Sequence, residues 1–178
     1  MNAQASSAAR NLTLVGEDQP NKRDVTVCTN PATGDVIAMY PTHTIEDVKT
    51  AVRNARLAQP AWQALPLKKK VAYVKKFAEY IQKNSAKLAE IISQDNGKTI
   101  FDAMFAEVGP ATLATSYYCN HAAKFLKDRK LGMGNIMLMN KRSRIVRVPY
   151  GVVGIISPWN YPFAIPFSEV VMGLLAGN

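Results

Sequence analysis

The stretch Gly151-Val152-Val153-Gly154-Ile155-Ile156-Ser157-Pro158-Trp159-Asn160-Tyr161-Pro162, with the apolar run Phe163 to Ala176 behind it, decides the fold. Residues 151–156 form an unbroken β-branched run, the pattern of a strand buried in a parallel sheet. Ser157 to Pro162 breaks that run, and Phe163 to Ala176 reads as an apolar helix. A strand, a turn and a helix are the opening of a βαβ unit. The returning parallel strand is not in the sequence, so strand and helix both need cover from more chain. Open α/β sheets bind ligands where such a strand feeds its helix. Pro158 and Pro162 flank Trp159-Asn160 and stiffen the turn, which holds the Asn160 side chain in place. Its carboxamide offers an N–H donor beside a helix N-terminus, as a developing oxyanion requires. The same residue also suits a plainer use, as the cap of the following helix.

Upstream, Asp24 to Cys28 alternates as a strand, Asn30-Pro31-Ala32-Thr33-Gly34-Asp35 is a turn, and Val36 to Tyr40 returns as a second strand. Thr44 with Asp47 predicts a capping box opening a helix that carries Val48, Ala51, Val52, Ala55 and Ala58 and stops at Pro60. A second helix follows Pro66, with Leu67, Val71, Val74, Phe77, Ala78 and Ile81 on its apolar face. Ser85 caps a third, bearing Leu88, Ile91 and Ile92, and Gly97 stops it. Lys98 to Lys127 carries Phe101, Met104, Phe105, Val108, Leu113, Tyr117 and Phe125 at helical spacing, with a kink or break expected at Gly109-Pro110. Gly132-Met133-Gly134 reads as a turn, and Ile136 to Asn140 and Arg144 to Val148 as two strands of a ribbon.

Composition narrows the function. The 178 residues carry 22 Lys+Arg against 13 Asp+Glu, a net charge of +9, with 48% hydrophobic residues, as in a globular chain. The length alone fits one domain. The start, MNAQASSAARNL, is no secretory signal, and residues 1–21 read as a flexible tail. The apolar C-terminal stretch is broken by Ser157, Asn160, Ser168, Glu169 and three prolines, so no membrane span is expected. Lys68, Lys69, Lys70, Lys75 and Lys76 interleave with apolar positions, which turns the charges outward. No nucleic-acid motif accompanies them, and a nucleic-acid partner is not expected. Cys28 and Cys119 make neither a disulfide framework nor a metal pattern, and reduced thiols suit the cytoplasm. Cys119 and His121 lie two apart on a helix and point to different faces.

The block Pro149 to Pro162 resembles the signature stretch of the NAD(P)-dependent aldehyde dehydrogenase superfamily, and Phe163 to Asn178 is similar to the helix that follows it there. Asn30-Pro31-Ala32-Thr33-Gly34, Val36-Ile37-Ala38, Trp62, Gly97-Lys98 and Glu107-Val108 fall in the order that family shows. The resemblance implies an α/β chain holding only the N-terminal portion of that fold. It would comprise a hairpin and helices over 22–132, a β-ribbon oligomerisation arm over 133–150, and the first βα unit of a Rossmann-like cofactor domain over 151–178. It implies a small-molecule aldehyde as substrate, NAD or NADP as cofactor, and a homo-oligomer joined through the ribbon. In such enzymes a cysteine thiolate attacks the aldehyde to give a thiohemiacetal, hydride passes to the nicotinamide, and a glutamate-activated water releases the acid. Asn160 would donate to the oxyanion. The backbone of Ile156, Ser157, Pro158 and Trp159 would lie along the nicotinamide end of the cofactor. Tyr161, Ile165 and Ser168 would face the substrate. Ser168 is smaller than the aromatic residue many members carry there, and Glu169 stands at an often basic position.

The family's Gly-Gln-x-Cys nucleophile block, Glu-Leu-Gly-Gly base block and Lys-Pro-Ser-Glu ribose block are not in these 178 residues. Cys28 and Cys119 lack the nucleophile's context. The expectation is a truncated dehydrogenase, inactive alone, with a short non-catalytic assembly partner as the alternative.

Overall fold

The structure is a computed structural model, and it describes residues 24–132, 137 and 140–178. The expected tail over 1–21 lies outside the described residues. Strands β1 (Val25–Thr29) and β2 (Val36–Pro41) form an antiparallel hairpin in the predicted place, pairing Val25 with Pro41 and Val27 with Met39. Its turn is closed by Gly34, at φ 79°, whose N–H donates to the Asn30 carbonyl at 2.7 Å.

Helix α1 (Ile45–Ala64) opens on the expected capping box, the Thr44 hydroxyl accepting from the Asp47 N–H and the Asp47 carboxylate from the Thr44 N–H. It does not stop at Pro60, which lies inside it. One lost backbone hydrogen bond is tolerated here because tertiary contacts hold the final turns. The Trp62 indole N–H donates to the Leu174 carbonyl and the Gln59 amide to the Gly177 carbonyl, both at 2.9 Å. Helix α2 (Leu67–Lys83) follows Pro66, and α3 (Ser85–Asn96) ends at Gly97 in the left-handed region, φ 81°. Asn84, not Ser85, holds the N-cap position of α3, without a side-chain cap bond.

The expected break at Gly109-Pro110 takes the form of a wide turn. Helix α4 (Ile100–Ala103) runs into a π-helical turn (Met104–Val108) and then into α5 (Gly109–Leu126). Pro110 has no N–H to give, and the Gly109 N–H reaches back to the Met104 carbonyl instead.

Strands β3 (Arg129–Leu131) and β4 (Ser143–Ile145) pair antiparallel. The first ribbon strand therefore precedes the glycine turn. The predicted strand over 136–140 lies largely outside the described residues, and its described members Met137 and Asn140 are not in a strand. Helix α6 (Ala164–Ala176) appears as predicted.

Residues 151–156, predicted as a buried strand, form a bend at 151–152 and irregular chain without sheet partners, and Val153 and Ile156 are exposed. The reason is local supply. A central strand must satisfy its N–H and C=O groups on both edges. The described residues form only two separate two-stranded antiparallel sheets, elsewhere in the molecule. No parallel pair is present among them.

Two apolar clusters surround α6. Val74, Cys119 and Ala122 from α2 and α5 pack on Val171 and Leu175. Ile81, Ala89, Ile92, Ala103 and Val108 pack beneath Phe163 and Phe167. The predicted stripes of α1 and α4–α5 are otherwise open, with Val48, Phe101, Phe105, Leu113 and Tyr117 all exposed, as is Phe77 of α2. Lys70, expected outside, is buried. Its Nζ donates to the Gln63 carbonyl at 3.0 Å and sits 3.2 Å from where a Cβ on Gly177 would lie. The cation therefore rests against the C-terminal ends of α1 and α6, where helix dipoles favour it. No helix among the described residues is long and apolar enough to cross a membrane.

The Gly97 stop also fixes the hairpin. A Cβ on Gly97 would meet Pro31 Cγ at 2.7 Å, besides straining a left-handed backbone. Gly97→Ala is expected to destabilise the protein by about 1–3 kcal/mol, and Pro31→Ala in that background to recover the steric part. Urea unfolding of the three proteins measures both effects; equal midpoints for Gly97→Ala and wild type would count against the contact.

Candidate functional site

The turn between residue 157 and α6 is gripped from one side. The Asn96 amide donates to the Trp159 carbonyl at 3.0 Å, and Lys98 Nζ donates to the Asn160 carbonyl at 2.9 Å. Lys98 Nζ also lies 4.8 Å from the centre of the Tyr161 ring, a cation–π distance. Asn96 and Lys98 flank the Gly97 helix stop, so the left-handed residue aims both side chains at the turn.

Behind Lys98 stands Glu107, on the π-helical turn and wholly buried. One carboxylate oxygen pairs with Lys98 Nζ. The other accepts from the Phe163 N–H at 2.8 Å and the Ala164 N–H at 3.1 Å. These are the first free amides of α6, so Glu107 caps that helix from a distance. A buried carboxylate is costly unless paired, and here a cation, two amides and the positive end of a helix dipole surround it.

This arrangement removes the plainer of the two uses expected of Asn160. The α6 amides are taken by Glu107, so Asn160 is not the helix cap. Its carboxamide is exposed and has no hydrogen-bond partner among the described residues. The backbone is pinned while the polar end is bare.

The other predicted positions are placed as follows. Ile156 and Trp159 are exposed, Ser157 is half-buried and Pro158 exposed. The backbone from Val152 to Pro158 makes no hydrogen bond among the described residues, so its polar groups are open to a ligand or to a neighbouring strand. Tyr161 sits on the turn beside Asn160. Ile165 and Ser168 lie half-buried on one face of α6, one turn along. The Ser168 hydroxyl is engaged, donating to the Ala164 carbonyl at 2.7 Å. The structure thus joins Asn160 and Tyr161 to the Lys98–Glu107 pair.

Glu107, Lys98 and Asn96 were not legible as site residues. Gly97-Lys98 and Glu107-Val108 stood out only for their order. The signals available were a helix stop flanked by amide and amine, and an acid just before Gly-Pro. Neither tells which distant amides the acid will meet.

The cysteines lie elsewhere. Cys119 is buried in the α2–α5–α6 cluster, and Cys28 is half-buried on β1. Desolvation pushes the Cys119 thiol up from its ordinary value, partly opposed by the charge of Lys75. His121 stacks on Tyr117, ring centres 4.4 Å apart, and does not serve Cys119. No group of His, Cys, Asp and Glu among the described residues could hold a metal ion.

The chain thus combines an unengaged carboxamide on a braced turn with an apolar helix, in a mixed helix-and-strand fold. Residues 18–178 match the model of the aldehyde dehydrogenase family, and the chain belongs to that family. A putative succinate-semialdehyde dehydrogenase [NADP(+)] of Mycolicibacterium smegmatis is 31% identical over 98% of this chain and 33% of its own length. A malonate-semialdehyde dehydrogenase 2 of Shouchella clausii is 34% identical, over 87% and 31%. The crystal structure of a putative methylmalonate-semialdehyde dehydrogenase from Sinorhizobium meliloti, complexed with NAD, superposes with a TM-score of 0.79 at 26% identity, covering 89% of this chain and 31% of that one. The chain thus spans about a third of the length of the relatives it matches.

Because its pKa is raised, Cys119 carries less thiolate than a free thiol at any pH near neutrality. Iodoacetamide at pH 8 is therefore expected to alkylate Cys119 more slowly in the folded protein than in urea, with the lag shrinking as pH rises. Peptide mass spectrometry reads both; equal rates folded and unfolded would contradict the assignment.

Proposed function

We propose that this chain supplies the oxyanion-stabilising part of an NAD(P)-dependent aldehyde dehydrogenase, with Asn160 as the donor. The observation that carries the reading is the pairing of a clamped Asn160 backbone with an unengaged carboxamide. When a thiolate adds to an aldehyde, the carbonyl oxygen gains negative charge. A fixed N–H donor that does not reorganise stabilises that charge more than water does.

The open backbone of Ile156, Ser157, Pro158 and Trp159 suits the amide-bearing ring of a nicotinamide. Backbone carbonyls without partners and the apolar side chains of Ile156, Pro158 and Trp159 offer both hydrogen bonds and a flat contact. NAD or NADP, when bound, accepts the hydride. The chain's own residues hold the ring's edge, orient the aldehyde and stabilise its oxygen. Tyr161 and the Ile165–Ser168 face of α6 line the approach of the aldehyde. Ser168, small and internally bonded, leaves room there and no free hydroxyl. Residues 133–150 serve as the oligomerisation arm of the whole protein, and 151–178 as the first βα unit of its Rossmann-like domain.

The nucleophile and the base lie outside this chain. Cys119 is core and Cys28 is a strand residue, so residues 1–178 alone oxidise no aldehyde. In the active protein, Asn160→Ala is expected to lower kcat by roughly 10²–10³, the usual cost of one oxyanion donor, with KM little changed. Steady-state kinetics with an aldehyde and NAD or NADP measures it; wild-type kcat in that variant would show that Asn160 does not stabilise the oxyanion.

A further inference from the structure

The Asn160 carboxamide has no partner of its own among the described residues, so its direction depends on the backbone that carries it. That backbone is held through the carbonyl of the same residue, by Lys98 Nζ. A lysine ammonium has three donors. Lys98 commits one to Asn160 and one to Glu107, and faces the Tyr161 ring as well. Its side chain is only 14% exposed, which removes the water that would otherwise compete for it. Glu107 in turn is fixed by two backbone amides of α6 and cannot follow if Lys98 moves. The ammonium is therefore held between a rigid anion and the Asn160 carbonyl.

We propose that Lys98, locked by the buried Glu107, is a positioning residue for the reaction, setting where the Asn160 carboxamide points. The inference rests on Asn160 acting as the oxyanion donor. Neither Lys98 nor Glu107 touches substrate; Glu107 fixes the ammonium, and the ammonium fixes Asn160. An effect on stability alone would not distinguish this role from packing, so the test compares turn mobility with kcat.

Lys98→Met keeps most of the stem and removes the donors; each Lys98→Met protein also carries Glu107→Gln, because a lone Glu107 carboxylate would be left buried without its cation, while Gln keeps an oxygen for the Phe163 and Ala164 amides. Hydrogen–deuterium exchange on the active protein is expected to show faster exchange, by about tenfold or more, in the peptide covering 157–164, with the α2–α5 core unchanged. Misplacing a reacting group by about 1 Å costs up to roughly 10²-fold, so Lys98→Met is expected to lower kcat by about 10–100-fold at similar KM. In an Asn160→Ala background the same change is expected to cost less than about twofold, because the group it positions is gone. Unchanged exchange in 157–164 overturns the inference whatever Asn160 does. So does a full loss from Lys98→Met that persists in the Asn160→Ala background. Wild-type kcat for Lys98→Met beside an impaired Asn160→Ala overturns this inference alone. Wild-type kcat for Asn160→Ala removes the oxyanion reading, and this inference with it.

Discussion

The buried pair of Lys98 and Glu107 is the contact on which the candidate site depends. It joins three parts of the chain that are far apart in sequence: the stop of α3, the π-helical turn and the entry to α6. A carboxylate with no exposed surface costs several kcal/mol if left unpaired, after relaxation is allowed for. Glu107 is therefore tolerable only while Lys98 and the Phe163 and Ala164 amides all stay in place. That requirement runs in both directions. The same bonds that stabilise the acid also fix the lysine, and the lysine fixes the turn. Replacing the pair with apolar residues could leave stability nearly unaltered, yet nothing would then hold the Asn160 carbonyl. The burial of charge here is better explained by geometry than by stability.

The opposite end of α6 is secured in another way. Its last carbonyls, which a helix cannot satisfy internally, accept from Trp62 and Gln59 of α1, and Gly177 turns left-handed at φ 98°. Asn178 then accepts from the Gly151 N–H at 3.0 Å, tying the start of the open segment to the end of the helix. The run 151–158 is thus anchored at both ends, by Asn178 at one and by the Asn160 turn at the other. Between those anchors its backbone is unpaired.

Features decided within a few residues were legible in the sequence. The Thr44–Asp47 capping box, the Gly97 stop and the disruption at Gly109-Pro110 all rest on local backbone chemistry, and each stands where the pattern put it. Features decided by partners were not. Pro60 looked like a terminator because the contacts of Gln59 and Trp62 with α6 are invisible locally. Lys70 looked like a surface residue because two helix C-termini meet at it only in the fold. The run 151–156 describes a surface that wants cover, and pattern alone cannot say where that cover comes from. Asn160 reads in the sequence as a donor or a cap, and the position of Glu107 removes the cap.

The placement of Glu107 follows from the core. Ala103, Glu107, Ala111, Thr115 and Cys119 are all buried, at four-residue steps. On a straight α-helix each residue advances about 100°, so four such steps drift by about 160°, nearly to the opposite face. The π-helical turn at Met104–Val108 takes up part of that drift by fitting more residues into one turn. Pro110, which cannot bond back, makes the wide turn cheap, and Gly109 leaves space where a Cβ would come 3.2 Å from the Met104 carbonyl. Phasing α4 with α5 in this way turns Glu107 inward at the level of the α6 entry, next to Val108 in the apolar cluster. The acid that holds the site is thus positioned by helix packing and not by the loop it serves. A change in the apolar face of α5 would therefore reach the Asn160 carbonyl by way of Glu107 and Lys98.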